Sequence, residues 1–188
     1  KYTKIILDRL IDLKEDGSFR MNQDYFNYLG GLTMTNKKFE DLFDLPRRNP
    51  ETSLTQKEMD IAASLQEVTE KIMLRMSRYV RKLTGMKNLC LAGGVALNCV
   101  GNGKILKEKI FDKLWIQPAA GDAGGALGVA MCIWHQVLGN NRQLKKGDAM
   151  KGAYLGPCYT NESLCSFLKN RGISYQQLNE TELARTIA

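Results

Sequence analysis

Leu89–Leu106 reads LCLAGGVALNCVGNGKIL, and Gln117–Ala130 reads QPAAGDAGGALGVA. Asn88 to Ala92 is a short apolar run that predicts a buried strand, Gly93-Gly94 a tight turn, and Val95 to Lys109 a helix. Leu114 to Gln117 repeats the strand, Pro118 to Gly121 the turn, and Asp122 to Leu138 the helix, now rich in small residues. Strand–turn–helix twice in succession predicts parallel strands joined by right-handed crossovers, hence an α/β fold. In open α/β sheets ligands bind beyond the carboxyl ends of the strands, so both turns are expected at one crevice.

The two turns hold the candidate functional residues. Gly93 and Gly94 permit close approach of a ligand to the backbone. The helix that starts at Val95 offers unpaired N–H groups and the positive end of its dipole to an anion. Asn98, one turn further, has a side chain that can donate to and accept from a ribose, base or phosphate. Gly93-Gly94 is equally a turn that only needs unusual backbone angles. The motif is neither GxGxxG nor the phosphate loop ending in GKS or GKT. In the second turn Asp122 is the lone carboxylate, either a helix N-cap or a metal ligand or general base. Gly124, Gly125 and Gly128, after the turn that ends at Gly121, are poor helix formers. Their density predicts a cofactor or a neighbouring helix packed very close.

Upstream, Tyr2, Ile6, Leu10 and Leu13 recur at helical spacing before the turn at Asp16-Gly17, and Ser18 to Asn22 alternates as a short strand. Gly30-Gly31 breaks the chain, Thr35 is placed to cap a short helix carrying Phe39, Leu42 and Phe43, and Pro46 to Pro50 is a polar loop. Thr55 and Glu58 form a capping-box pattern. Ile61, Leu65, Val68, Ile72, Met76, Tyr79 and Leu83 then continue a helix of about 29 residues to Gly85. Downstream, residues 139–152 read as a connection. From Tyr154 a new unit begins, with a helix through Leu164, Phe167 and Leu168, a strand near Ile173 to Tyr175, and a helix start at Thr181. Two regions are expected, 1–152 and 153–188.

The 188 residues, 44% hydrophobic and 25% charged, suit one ordinary globular domain with a linker. No run approaches a membrane span and no signal peptide is visible, so a cytoplasmic location is expected. The net charge of +7 is scattered, with only short clusters at Arg47-Arg48 and Lys145-Lys146 and no interleaved aromatic residues, which reads as a solvated face rather than a nucleic-acid surface. Cys90, Cys99, Cys132, Cys158 and Cys165 include no CxxC pair and read as reduced core cysteines. One histidine, His135, excludes a metal site built from this chain's histidines and reads as a helix-end packing residue. The chain opens on Lys1 and closes at Thr186-Ile187-Ala188 within a helical pattern, as expected of a piece of a longer protein.

The two glycine motifs, together with Asp16-Gly17-Ser18-Phe19, Tyr25-Phe26, Asp60 to Gln66 (DIAASLQ) and Tyr154-Leu155-Gly156-Pro157, closely resemble the O-carbamoyltransferase family, which modifies nodulation factors, cephem antibiotics and aminoglycosides. The resemblance implies a half-domain of the actin, Hsp70 and sugar kinase superfamily (RNase H-like), a central sheet with helices on both faces. It places the chain in the second half of the catalytic domain, ahead of a YrdC-like domain that makes carbamoyl-adenylate from ATP and carbamoyl phosphate. Gly93, Gly94, Val95, Asn98, Gly121 and Gly124 match nucleotide-binding positions. Asp122 matches a ligand of a divalent metal, iron by the resemblance, whose paired histidine ligands belong to the first half and are absent here. The implied reaction moves a carbamoyl group from the adenylate to a hydroxyl of a small molecule or glycan, with AMP leaving. The metal would polarise the carbonyl, backbone N–H groups would take up the developing charge, and Asp122 is the catalytic residue of this half. A homodimer is among the implied assemblies; a membrane partner is not.

Three readings compete, of which a sugar kinase of the same superfamily is disfavoured because its motifs differ. A tRNA threonylcarbamoyl transferase uses a similar GGVA-type motif and would give the positive charge a purpose, but Ala-Leu-Asn after the first glycines and QPAAGDAG fit the small-molecule branch better. A non-catalytic nucleotide-binding module is the reading from another class.

Overall fold

In the computed structural model, which describes every residue except Lys145, the chain divides into two units, Lys1–Arg142 and Gln143–Ala188. The division falls inside the expected 139–152 connection, ahead of the expected boundary at 152; Lys145 of the basic pair lies outside the described residues.

The first unit is organised by its longest helix, α3 (Gln56–Thr84), whose 29 residues match the length read from its stripe. It starts where a local signal starts it: the Glu58 carboxylate accepts from the Thr55 N–H and closes the capping box. It ends where Gly85 turns left-handed at φ 66°, a conformation glycine adopts without penalty. Arg81 then caps the exit by donating to the Gly85 and Met86 carbonyls.

Against α3 packs the N-terminal segment: α1 (Thr3–Ile5), a π-turn over Ile6–Leu10, and an antiparallel hairpin of β1 (Ile11–Leu13) and β2 (Phe19–Met21). The helix expected through Leu13 therefore stops at Leu10. Leu13 faces Phe19 across the hairpin instead, because the Asp16-Gly17 turn returns the chain onto itself and the Asp16 carboxylate accepts from the Ser18 N–H and hydroxyl. Gly17, at φ +87°, also sits against α3: a Cβ there would come within 2.4 Å of the Met76 backbone nitrogen. Next comes α2 (Lys37–Phe43), with Asn36 as its N-cap rather than Thr35, since the Asn36 side chain accepts from the Lys38 and Phe39 amides. Ile6, Leu10, Phe43 and Val68 are the buried core, and Phe39 and Tyr2 pack on Phe43 with ring centroids 4.8 and 5.6 Å apart. Buried Ser64 fastens the start of the chain to α3 by accepting from the Tyr2 N–H at 2.9 Å.

The motif region follows α3: β3 (Asn88–Leu91), a 3-10 turn over Gly94–Leu97, α4 (Cys99–Lys107), β4 (Lys113–Ile116) and α5 (Ala123–Cys132), which runs on as a π-turn over Ile133–Val137. β3 and β4 are parallel neighbours, Asn88 opposite Lys113 and Leu91 opposite Ile116. The single central sheet expected of the fold class is not what is present. Among the described residues there are two separate two-stranded sheets, one antiparallel and one parallel. The strands are correspondingly half-buried, not buried: Asn88, Cys90, Lys113 and Trp115 are exposed on one face while their neighbours are covered. Four of the five cysteines are exposed and none is bridged, so they are not core residues.

In the second unit α6 (Asn161–Asn170) is capped by Thr160, and α7 (Glu180–Ile187) starts at a capping box of Asn179 and Glu182. Residues 173–175 form no strand, having no partner strand among the described residues. No helix of the described residues is long and apolar enough to cross a membrane.

The accessible surface is 14922 Å² for a chain of 21.2 kDa, against roughly 9,000 Å² for a folded monomer of that mass. Much of the excess is apolar. No residue of α5 is buried, and Val129, Met131, Ile133 and Trp134 are all about half exposed or more.

The core contacts predict an uneven response to truncation. Phe43→Ala is expected to lose about 3–5 kcal/mol in urea unfolding, whereas Leu65→Ala, at a half-exposed position of α3, changes stability by under about 0.5 kcal/mol.

Candidate functional site

The two glycine turns leave β3 and β4 side by side. Beyond the paired ends at Leu91 and Ile116 the strands are joined once more, by Gln117 N–H donating to the Leu91 carbonyl at 3.0 Å, and the turns themselves by Gly93 N–H donating to the Ala120 carbonyl at 2.7 Å. The expected juxtaposition of Gly93-Gly94 with Gly121-Asp122 is therefore present. A short parallel pair forces it, because both chains must exit at the same end.

Gly93 needs its residue type: φ is +97°, which side chains rarely adopt. Ala96 and Asn98 N–H groups close the 3-10 turn onto Gly93 and Val95. The N–H groups of Gly94 and Val95 make no hydrogen bond among the described residues, and both residues are exposed. Across the site Gly124 and Gly125 N–H groups bond to the Gly121 and Asp122 carbonyls, again leaving those of Asp122 and Ala123 free. Four backbone N–H groups without a hydrogen-bond partner among the described residues thus lie in the two turns at adjacent strand ends.

Asp122 stands at the N-cap position of α5 but makes no capping hydrogen bond with its side chain, and it is exposed. The stabilising role that an aspartate could have had there is unused. Among the described residues no group of three His, Cys, Asp or Glu side chains could hold a metal ion. His135, as expected, closes a helix end: Nδ1 meets the Asn140 carbonyl at 2.9 Å, so that nitrogen carries the proton.

The glycines of the second turn differ in their reasons. A Cβ on Gly124 would lie 2.1 Å from the Ala119 carbonyl oxygen, so the turn folds onto that position. Gly125 and Gly128 face open space, and the close neighbour that their density predicts is not found among the described residues.

Asn98 is not a free ligand-reading amide. It is the N-cap of α4, its Oδ1 accepting from Gly101 N–H at 3.0 Å. The same oxygen accepts from Gln66 Nε2 at 3.0 Å, and Asn98 Nδ2 donates to Gln66 Oε1 at 2.8 Å. Gln66 Nε2 also donates to Glu70 Oε1 at 2.9 Å, and Lys104 of α4 pairs with Glu70 Oε2. Glu70 is buried, and the Lys104 ammonium, then the Gln66 amide, hold its carboxyl below the usual carboxylate range. Asn102, also buried, donates to the Ala96 carbonyl at 2.8 Å and leaves its Oδ1 without a partner. Gln66, Glu70, Asn102 and Lys104 were not candidates from sequence. The sequence held little signal for them: Glu70 stands one turn beyond Gln66 of the DIAASLQ stretch but outside the apolar stripe of α3.

A groove of about 620 Å³ lies elsewhere, lined by residues from the 7–12 and 20–24 segments including Asp8, Asp12, Arg20 and Asp24, and it includes neither glycine turn. The turns themselves form an open edge, so a closed crevice there requires a second wall.

Residues 1–131 match the family model described as carbamoyltransferase N-terminus. The chain is 57% identical over its whole length to the uncharacterized protein sll1178 of Synechocystis, covering 31% of that protein. It is 46% identical to the nodulation protein NolO of Bradyrhizobium diazoefficiens, over 57% of this chain and 19% of the relative. To the nodulation protein NolNO of Sinorhizobium fredii it is 34% identical over 81% of this chain and 20% of the relative. The chain thus spans under a third of the length of these curated relatives.

The contrast between neighbouring glycines is testable by thermal melting. Gly124→Ala is expected to destabilise, since its Cβ meets backbone. Gly125→Ala, in open space within α5, is expected to raise stability by up to about 1 kcal/mol through better helix propensity.

Proposed function

Because this chain belongs to the carbamoyltransferase family, we propose that it carries one wall of the nucleotide site of an O-carbamoyltransferase. The observation that supports this reading is the pairing of the two glycine turns, in which the N–H groups of Gly94, Val95, Asp122 and Ala123 have no partner among the described residues. Backbone donors fixed at strand ends suit the phosphates of ATP or of a carbamoyl-adenylate, and they suit the negative charge that develops as a carbonyl is attacked. Gly93 and Gly121 keep the backbone bare where the ligand approaches, and Gly124 folds the second turn tightly enough to bring its amides forward.

The transfer itself would join a hydroxyl oxygen of a small molecule or glycan to the carbamoyl carbon, with AMP as leaving group. The repeated strand, turn and helix of the motif region suit the half-domain of an actin-like fold, whose other half would close the open edge. The unburied apolar surface of α5 agrees with a further wall contributed by the rest of a family protein more than three times as long as the matched stretch.

Asp122 fits one position of a metal site: exposed, unbonded through its side chain, and placed beside the free amides. With no group of three ligating side chains among the described residues, the remaining ligands would come from elsewhere in the protein. A divalent metal bound there would supply Lewis acidity toward the carbonyl.

Two measurements test the reading. In the full-length protein Asp122→Asn is expected to lower bound iron or zinc and carbamoyl turnover strongly while the melting temperature stays within a degree or two, because no cap bond is lost; retained turnover with retained metal refutes the assignment. The present chain alone is expected to bind ATP, ADP and AMP only weakly by calorimetry, and micromolar binding with stoichiometric metal would mean the site is not split.

A further inference from the structure

The amide chain from Glu70 to Gly101 has a direction, anchored at one end by the Glu70 carboxylate and met at the other by the Gly101 N–H. A carboxylate is acceptor-only. Glu70, buried and held charged by Lys104, therefore forces Gln66 to present its NH2 group to Oε1. The second hydrogen of that NH2 then points to Asn98 Oδ1, and Gln66 Oε1 is left to accept from Asn98 Nδ2. With both amides so oriented, Asn98 Oδ1 is the atom that meets Gly101 N–H and caps α4. Turning Gln66 over would set its carbonyl against the Glu70 carboxylate and its NH2 against that of Asn98; turning Asn98 over would set its NH2 against the Gly101 N–H. Either flip places like against like in a partly buried setting.

We propose that Glu70 is a positioning residue: through Gln66 it fixes the orientation of Asn98, and so the start of α4 and the Gly93–Asn98 turn. Its bearing on nucleotide affinity rests on the function proposed above. The link is short. Asn98 ends the 3-10 turn that begins at Gly94, its N–H bonds to the Val95 carbonyl, and one turn into α4 Asn102 grips the Ala96 carbonyl. A slack cap at Gly101 loosens the peptides whose N–H groups face outward.

Glu70→Gln is nearly isosteric but no longer acceptor-only, so the polarity of the chain is lost while the packing is kept. In the full-length protein the expected result is a rise of about five- to tenfold in Gly101 amide exchange, the size of effect that losing a side-chain cap produces, with a similar rise in the ATP dissociation constant. Asn98→Ser supplies a cap that needs no orientation from Gln66. On that background Glu70→Gln is expected to change neither quantity further, and this non-additivity is the signature of the relay. Gln66→Met, which removes the intermediary, should reproduce the Glu70→Gln pattern and covers the case in which that variant does not fold. Glu67→Gln, which breaks a surface pair with Lys71 on the same helix, is the control and should match the parent. Gly101 exchange within twofold of the parent in Glu70→Gln or Gln66→Met, or additive effects in the Asn98→Ser background, overturns the proposal. A parent that binds no ATP overturns the nucleotide reading instead, and the exchange measurements still decide the relay.

Discussion

The seam between α3 and α4 is the constraint on which the motif region depends. β3 and β4 form a sheet of only two strands and no residue of α5 is buried, so apolar packing at the glycine turns is confined to the small side chains of Ala96 and Ala120. What fixes them to the body of the unit is α4 lying against α3. Gly101 leaves room there for the Met73 thioether, whose sulfur would be 2.5 Å from any Cβ. Around that apolar contact the Gln66–Asn98 amide pair and the Lys104–Glu70 ion pair close the polar valences. A carboxylate as buried as Glu70 is tolerable only because both its oxygens are met. The cost of burying a charge becomes, in this arrangement, a source of orientation: an apolar pair would hold the helices together equally well but would not tell one amide face from the other.

How much of this was readable in the sequence follows from how far apart the interacting residues lie. The bounds of α3 were readable because its start and stop are set within a few residues, by Thr55 with Glu58 and by Gly85. The parallel pairing of β3 and β4 was readable because two consecutive strand–turn–helix units have few other ways to fold. The Gln66–Asn98 pair, 32 positions apart, leaves no periodic trace, and so Asn98 looked free when it was a cap. Periodicity misled at Leu13, where a three-residue strand follows a helical spacing that a tight turn overrides, and at 173–175, where an apolar run finds no strand to pair with. The cysteines looked like core because their neighbours are apolar, but in this chain apolar neighbours are often exposed themselves.

The glycines show the same difference between composition and cause. Counted together they imply a crowded helix start. Taken singly, Gly93 answers a backbone angle, Gly124 answers a carbonyl oxygen, and Gly125 and Gly128 answer nothing among the described residues. The first two belong to the fold of the turns and the last two are free to serve whatever lies beyond α5. A substitution series that treated the four as one motif would average two opposite effects.

The exposed apolar surface has a thermodynamic corollary. Unfolding raises heat capacity chiefly by bringing apolar groups into water, and the denaturant slope scales with the area newly uncovered. A chain that already shows 14922 Å² when folded has less left to uncover than its length implies. Its calorimetric step and its urea slope should both be those of a considerably shorter protein, giving a flat stability curve and a broad transition. In the whole family protein, where that surface can be covered, the same residues would unfold more sharply.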